Sequence, residues 1–263
     1  MDRSAVTPLG YHRSRIQVPS LQPDHHIGMS PFVAFVIGSG QNIGDSTAAA
    51  LKAQGYKVAV GSRKPAVEER QRDGYFPVAM EAHNPEGVKA AFAHVNAELG
   101  PPSVVVFNTG LSVTAPVPED PLSLPLEAFQ RQTAVASAVY AAAQEALVGF
   151  RSDALKGMNK TFIITGNPLP WLPADVLPIY FGLNIQKLIL WRLMEFFSGA
   201  YSKEQARFYF ATLVGEKGGV IEDVSAFPTS GPQHAQVYLD LIARADQTDW
   251  DYRFTLDGKQ WAN

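Results

Sequence analysis

The chain has 263 residues and a net charge of −3 at pH 7, and it contains no cysteine. This length suits one α/β domain with a large core, and the negative charge disfavours a nucleic acid or an anionic membrane as partner. The absence of cysteine excludes disulfides and thiolate metal sites, and it is typical of a reducing compartment such as the cytoplasm.

The first 28 residues are polar and aperiodic, whereas an apolar run follows soon after Met29. We therefore expect residues 1–28 to be an N-terminal extension and residues 29–263 to form one folded domain. The extension lacks the continuous apolar stretch of a secretory signal. No membrane span is expected, because no stretch approaches the roughly 18 apolar residues that a span requires. The six histidines show no metal-ligand spacing, so no metal site is predicted.

Apolar runs typical of buried strands alternate with helical patterns along the rest of the chain. The predicted strands are residues 33–38, 57–61, 76–80, 103–107, 161–165, 207–214 and 252–256. The predicted helices are residues 46–54, 84–99, 125–150, 178–197 and 234–244. Strands joined by helical crossovers form a parallel, doubly wound sheet, so the expected fold class is α/β, of the Rossmann type, with helices on both faces.

A glycine-rich turn connects the first predicted strand to the first predicted helix. Glycines let the backbone approach the pyrophosphate of a dinucleotide, and the N–H groups at a helix start favour negative charge. The alternative is a tight turn without a ligand. The turn residues assigned to a dinucleotide are Gly38, Gly40, Asn42, Ile43 and Gly44.

The end of the second predicted strand indicates which nicotinamide cofactor is bound. An NAD site places an acid there for the ribose hydroxyls, whereas an NADP site places cations there for the 2′-phosphate. This chain has Ser62, Arg63 and Lys64 at that position and no acid. The alternative is a pair of solvated cations on a loop, but the position favours NADP(H) as cofactor.

From Met29 onward the chain resembles the short-chain dehydrogenase/reductase family. Met80-Glu81-Ala82 resembles the Asp-Val pair beside the adenine, and Phe107-Asn108-Thr109-Gly110 resembles the Asn-Asn-Ala-Gly segment. The resemblance implies that Glu81, Ala82, Asn108, Thr109 and Gly110 line the cofactor. It also implies a homodimer or homotetramer packed through the two long helices.

The catalytic positions of that family are only partly kept. Tyr180 matches the family's tyrosine, but Asn167 stands thirteen residues earlier in place of the serine, and Asn184 stands four residues later in place of the lysine that contacts the nicotinamide ribose. A free phenol has a pKa of about 10, and the family's lysine lowers that value. Lys187 lies on the same helix face, about 10 Å further along the axis. It either replaces the lysine in part or is a solvated residue with a buried stem.

Reduction of an iminium needs no proton donor, because its nitrogen is already cationic. The chain also resembles fungal bifunctional reductase/Diels–Alderases that reduce an iminium during indole alkaloid assembly. The resemblance implies that Arg131 and Trp171 act in catalysis, although the acid expected beside the tryptophan is absent. Each residue also has a structural alternative: a helix-surface cation for Arg131, a core cap for Trp171 and a packing role for Tyr180.

These observations lead to three hypotheses. The first is an NADP(H)-dependent reductase of secondary metabolism that acts on a hydrophobic ketone or iminium through a non-standard active site. The second is a bifunctional reductase/Diels–Alderase or a cofactor-assisted cyclase, and the third is a non-catalytic sensor of NADP(H). The catalytic candidates are Asn167, Tyr180, Arg131 and Trp171.

Overall fold

The structure is a computed structural model that describes residues 32–173, 175 and 177–262. The predicted extension 1–28 and the predicted domain start at Met29 lie outside the described residues.

Seven parallel strands form one sheet in the order β3-β2-β1-β4-β5-β6-β7. Each predicted strand is confirmed, with ends that differ by no more than two residues. The central strands are buried along their whole length, which explains why they read as continuous apolar runs. The strands are β1 (Val33–Ile37), β2 (Lys57–Ser62), β3 (Phe76–Ala79), β4 (Val104–Phe107), β5 (Lys160–Thr165), β6 (Ala206–Leu213) and β7 (Asp251–Phe254).

The helices between the strands follow the predicted pattern with one addition, and their ends differ from the predicted ones by up to four residues. The helices are α1 (Ile43–Ala53), α2 (Val67–Arg72), α3 (Pro85–Glu98), α4 (Leu126–Phe150), α5 (Phe181–Tyr201) and α6 (Gly231–Ala243). The sequence did not predict α2, because this short helix buries no side chain and therefore has no apolar periodicity. The predicted start of α5 at residue 178 was wrong, because Pro178–Tyr180 forms a 3-10 turn before the helix begins.

The helices cover both faces of the sheet. On one face α3, α4 and α5 pack against side chains such as Phe35 and Phe107, and on the other face α1 and α6 pack against the opposite side of the strands. The start of α3 follows from its sequence, because the side chain of Asn84 accepts a hydrogen bond from the N–H of Glu86 and Pro85 occupies the first helical position. This two-faced arrangement confirms the predicted fold class.

The helix α4 is long and apolar enough, by length and composition, to cross a membrane. However, 61% of its most apolar stretch is buried inside the fold. It packs between α3 and α5, as a core helix does.

The order of the strands determines where a ligand can bind. The chain leaves β1 toward β2 on one side and leaves β4 toward β5 on the other, although β1 and β4 are neighbours. The connections therefore separate at the carboxyl ends of these two strands, and this is where ligands bind in sheets of this kind.

Candidate active site

A cleft of about 740 Å³ opens at the carboxyl ends of the central strands. Its walls come from the turn after β1, the loops after β4 and β5, the helix α5 and the segment after β6. This volume lies within the range of small-molecule and cofactor sites. The predicted cofactor residues that line it are Gly38, Gly40, Asn42, Ile43, Asn108, Thr109 and Gly110.

The turn after β1 requires glycine for two different reasons. Gly38 has a φ of +91°, and a Cβ there would lie 2.5 Å from the carbonyl oxygen of Asn108. Its N–H donates to the carbonyl of Gly61, and its own carbonyl accepts from Nδ2 of Asn108. A Cβ at Gly40, by contrast, would have no heavy atom within 4 Å. The first glycine fixes the turn, whereas the second leaves space at the cleft.

The start of α1 is open to an anion. Its N-cap residue, Asn42, makes no capping hydrogen bond with its side chain, and Nδ2 donates instead to the carbonyl of Phe227. The acid in the first turn, Asp45, is paired with Arg70 at 2.8 Å. The N–H groups at the helix start and the positive end of its dipole therefore face the cleft without a capping side chain. This donor set fits the pyrophosphate of a dinucleotide.

Gly44 allows the start of α1 to pack closely against the turn after β1. A Cβ at this position would collide with the carbonyl oxygen of Gly38, so a larger residue would push α1 away from the turn. The close packing of helix and strand therefore depends on glycine here.

The predicted cofactor residues at the ends of β2 and β3 lie beside the cleft and do not line it. Ser62 is half-buried, while Arg63 and Lys64 are exposed directly after it. Glu81 is exposed, with His83 at 3.4 Å, and Ala82 packs against the core. The strand end therefore presents two cations to solvent and no carboxylate, which is the charge pattern that a 2′-phosphate requires.

The loop after β5 brings Asn167 into the cleft. Its Oδ1 accepts a hydrogen bond from the N–H of Leu169 at 3.2 Å, which orients the side chain. Its Nδ2 makes no hydrogen bond with the described residues and can donate to a ligand. Asn167 is thus the one predicted catalytic candidate that lines the cleft among the described residues.

The other predicted residues of the reaction centre do not line the cleft. Tyr180 is the half-buried residue before α5, and Arg131 is exposed on α4. Nδ2 of Asn184 donates to the carbonyl of Leu169 at 3.0 Å, so this residue ties α5 to the loop after β5. Their catalytic and cofactor roles remain predictions.

Trp171 is held in a contact away from the cleft. Its Nε1 donates to the carbonyl of Gly218 at 3.1 Å, and the guanidinium of Arg253 lies 3.6 Å from the centre of its ring. Arg253 is also paired with Asp251 at 2.6 Å. The indole therefore anchors the segment after β6, and such a cation–π contact favours this position of the ring.

The sequence left two interpretations of Lys187 open: a solvated residue, or a partial replacement for the missing lysine. The residue is buried with 6% of its surface exposed, it lines the cleft, and its Nζ donates to the carbonyl of Thr165 at 2.8 Å. Burial lowers the pKa of Lys187 to about 8, because desolvation disfavours the charged form. The solvated alternative was wrong, since the ammonium lies inside the fold.

Two buried glutamines shape the wall of the cleft, and sequence reasoning missed both. Oε1 of Gln132 accepts from the N–H of Val113 at 3.1 Å, and Nε2 of Gln186 donates to the carbonyls of Leu111 and Gln132. They hold the loop after β4 against α4 and α5. The available signal was an amide on the apolar face of each helix, because a buried polar group requires partners.

The outer wall of the cleft is apolar. It includes Val220, Ile221, Val224 and Phe227 from the segment after β6. His234 of α6 also lines the cleft, and burial lowers its pKa to about 4, so the ring is neutral at pH 7. A hydrophobic ligand therefore fits this end better than a charged one. No group of three or more metal-ligating side chains occurs within the described part of the chain.

Comparisons with known proteins agree with this geometry. The family model of short chain dehydrogenases matches residues 32–136. The short chain dehydrogenase/reductase dmxR12 of Cryptosporiopsis sp. (strain 8999) is 27% identical over 237 residues, which cover 84% of this chain and 91% of that relative.

Two solved structures show the same fold. A short-chain type dehydrogenase/reductase from Mycobacterium marinum has a TM-score of 0.70 at 19% identity, covering 88% of this chain and 96% of that chain. A metagenomic short-chain oxidoreductase in complex with NADP has a TM-score of 0.68 at 20% identity, covering 86% of this chain and 98% of that chain. Together, the family model, the curated relative and the sheet show that the chain is similar to short-chain dehydrogenases/reductases and shares their fold.

Proposed function

We propose that this protein is an NADP(H)-dependent reductase of secondary metabolism that acts on a hydrophobic ketone or iminium through a non-standard active site. One observation carries the proposal: a single cleft joins the uncapped start of α1 to Asn167, Lys187 and an apolar outer wall. The first part suits a dinucleotide phosphate, and the last suits an apolar substrate.

The chain's own residues would hold the cofactor along this cleft. Gly38, Gly40 and the start of α1 would bind the pyrophosphate, and Asn108 to Gly110 would line the path toward the nicotinamide. When bound, a reduced nicotinamide supplies a hydride. Asn167 would then orient the substrate through its unbonded Nδ2, while the apolar wall would exclude water from the reacting carbon.

The preference for NADP(H) rests on the end of β2. Ser62 ends the strand and Arg63 follows it where an NAD site would carry an acid, and Asp45 of α1 is already paired with Arg70. An arginine binds a phosphate through charged, bidentate hydrogen bonds. The 2′-phosphate would therefore gain a partner there and meet no free carboxylate at that strand end.

Calorimetry of the full chain with NADPH and NADH tests this proposal. We expect NADPH to bind at least about tenfold more tightly, and Arg63→Ala to weaken NADPH binding by roughly tenfold while leaving NADH binding unchanged. Arg72→Ala is the matched control, because this arginine is exposed at the end of α2. No heat with either nucleotide, or tighter binding of NADH, would contradict the proposal.

The proposal is confined to reduction. Arg131 and Trp171 carry the resemblance to the bifunctional reductase/Diels–Alderases, and neither lines the cleft. The cyclase and the sensor therefore remain hypotheses from the sequence, without a specific contact that favours them. Reduction is tested by oxidation of NADPH in the presence of hydrophobic ketones, with Asn167→Ala expected to lower kcat.

The chain is also proposed to form a homodimer or homotetramer in the cytoplasm. Apolar side chains are exposed on the outer faces of α4 and α5, including Tyr140, Val148 and Phe196. A second copy packed on these helices would bury them and extend the core across the interface. Sedimentation equilibrium of the full chain tests this assembly, and a monomer at micromolar concentration would contradict it.

A further inference from the structure

The charge inside the cleft comes from one group. Among the described residues that line it, Lys187 is the only one with a charged side chain at neutral pH, because His234 is neutral there and no carboxylate is present. Around Lys187, β5 contributes the carbonyl of Thr165 and the loop after β4 contributes Gly110, and Asn167 lines the same cleft. All of these groups are uncharged.

An ammonium in this position has unused hydrogen-bonding capacity. A lysine carries three N–H donors, and Nζ of Lys187 makes one hydrogen bond with the described residues, to the carbonyl of Thr165. Thr165 is itself held in place, since its Oγ1 lies 2.8 Å from the hydroxyl of Tyr238. A buried charge that lacks an anionic partner is unfavourable unless a ligand completes its contacts. Such groups in clefts are candidates for a role in chemistry.

The alternative proton donor is less well placed. Tyr180 precedes α5 and does not line the cleft, and Asn184 is bonded to the backbone of Leu169. Lys187 lies two turns of helix beyond Tyr180 and faces the cleft together with Asn167. An ammonium and an amide thus line the same cleft.

We propose that Lys187 donates the proton in the reduction, and that its positive charge restricts the substrate to neutral ketones or aldehydes and excludes iminium ions. This inference rests on the proposed function and narrows its substrate class. It also makes Lys187 a catalytic residue at a position that the sequence motif does not specify.

The step is balanced as follows. The carbonyl carbon would gain a hydride, which is the chemistry that a bound reduced nicotinamide would supply as it is oxidised. The π electron pair of the carbonyl moves to oxygen, the N–H bond of Lys187 breaks, and an O–H bond forms. The neutral amine then regains a proton from solvent, for which a pKa near 8 is suitable.

The same charge discriminates between the two substrate classes. The alkoxide that develops from a ketone is attracted to the ammonium, whereas an iminium is repelled before it reacts. At a separation of about 5 Å and a protein-like dielectric, two positive charges lower binding by on the order of a hundredfold. A neutral side chain at position 187 removes the contribution of Lys187 to this difference.

A pair of probes with nearly the same shape tests the inference in the full chain with NADP⁺ bound. Tetralone is a neutral bicyclic ketone, and N-methyl-dihydroisoquinolinium is a bicyclic iminium. We expect the wild type to bind tetralone at least about tenfold more tightly, and Lys187→Met to lower that preference at least about tenfold, because the positive charge of the nicotinamide is the same in both proteins. Lys203→Met is the control, because Lys203 is exposed and does not line the cleft. A preference that Lys187→Met leaves unchanged, a wild-type preference for the iminium, or failure to bind tetralone overturns the inference.

A second readout does not depend on turnover. The Nζ resonance of Lys187, assigned by its loss in Lys187→Gln, is titrated by NMR with and without each probe. Tetralone should raise the titration midpoint because its oxygen accepts a hydrogen bond from the ammonium, and the iminium should lower it. If calorimetry shows that the protein binds NADPH but tetralone leaves the titration midpoint unchanged, the proposed role of Lys187 is overturned and the proposed function is not. Failure to bind NADPH would instead remove the proposed function.

Discussion

The two ends of the cleft differ in what holds their functional atoms in place. At the proposed phosphate end the functional atoms would be backbone N–H groups at the start of α1, positioned by Gly38 and Gly44. At the proposed reaction end they would be the side chains of Asn167 and Lys187, which come from a loop and from a helix. A site made of backbone therefore tolerates many side chains but few changes of glycine. In a site made of side chains, the reacting group can come from a different position of the same helix and still supply the same chemistry.

Gly38→Ala should have the largest effect, because the new Cβ would meet the carbonyl oxygen of Asn108 at 2.5 Å and the backbone φ is +91°. Left-handed strain and overpacking each cost about 1–3 kcal/mol, so we expect a loss of about 4 kcal/mol in the free energy of unfolding. Urea denaturation of the ligand-free protein measures it.

Gly55→Ala is the control for that change. Gly55 has a φ of +88°, but no heavy atom lies within 4 Å of its Cβ position. It therefore isolates the backbone strain, and we expect a loss of about 1–2 kcal/mol. Equal losses at the two positions would show that the close approach to Asn108 contributes nothing to the turn.

Lys187→Met should change how stability depends on pH. Burial lowers the pKa of Lys187 from 10.5 in the unfolded chain to about 8 in the folded one, so the unfolded state binds more protons between these values. The stability of the wild type relative to the variant should therefore rise by about 3 kcal/mol as the pH increases from 8 to 10.5. Below pH 8 the difference should be constant.

Chemical denaturation at several pH values measures this difference. Lys203→Met changes an exposed lysine outside the cleft and should keep the wild-type dependence on pH. If the difference between the wild type and Lys187→Met does not vary above pH 8, the ammonium is not desolvated as its burial indicates.

Gly40→Ala should separate cofactor binding from stability at the phosphate end. A Cβ there has no heavy atom within 4 Å, so the free energy of unfolding should change by less than about 1 kcal/mol. Because Gly40 lines the cleft, the methyl group should hinder a dinucleotide and weaken NADPH binding by roughly tenfold. Calorimetry that finds unchanged affinity would place the pyrophosphate elsewhere.

The sequence predicted the fold well because the strands are buried on both faces. Runs such as the one in β5, which is buried throughout, leave a continuous apolar signal, and the turn glycines mark where strand becomes helix. The helix α2 was missed for the opposite reason, since it packs no side chain into the core. The start of α5 was placed three residues too early, because a proline at position 178 begins a 3-10 turn as readily as a helix.

The site was only partly predictable. The residues around the turn after β1 reach the cleft through local backbone geometry, which the sequence pattern reports directly. Whether Lys187 faces solvent or the carbonyl of Thr165 depends on how α5 rotates against β5, and this follows from tertiary packing. Similarly, the indole of Trp171 is positioned by Arg253, which lies 82 residues later in the sequence (253 − 171).

Tyr180→Phe should have the smallest effect, and it tests the reaction end directly. The change removes only the hydroxyl of a residue that does not line the cleft, and the ring keeps its packing before α5. If Lys187 delivers the proton, kcat for the reduction of tetralone by NADPH should fall by less than about threefold. Removing the proton donor itself, as in Lys187→Met, should cost about a hundredfold or more. A hundredfold loss of kcat in Tyr180→Phe would show that the tyrosine, and not Lys187, donates the proton. The reaction end would then depend on the sequence motif as strictly as the phosphate end depends on its glycines.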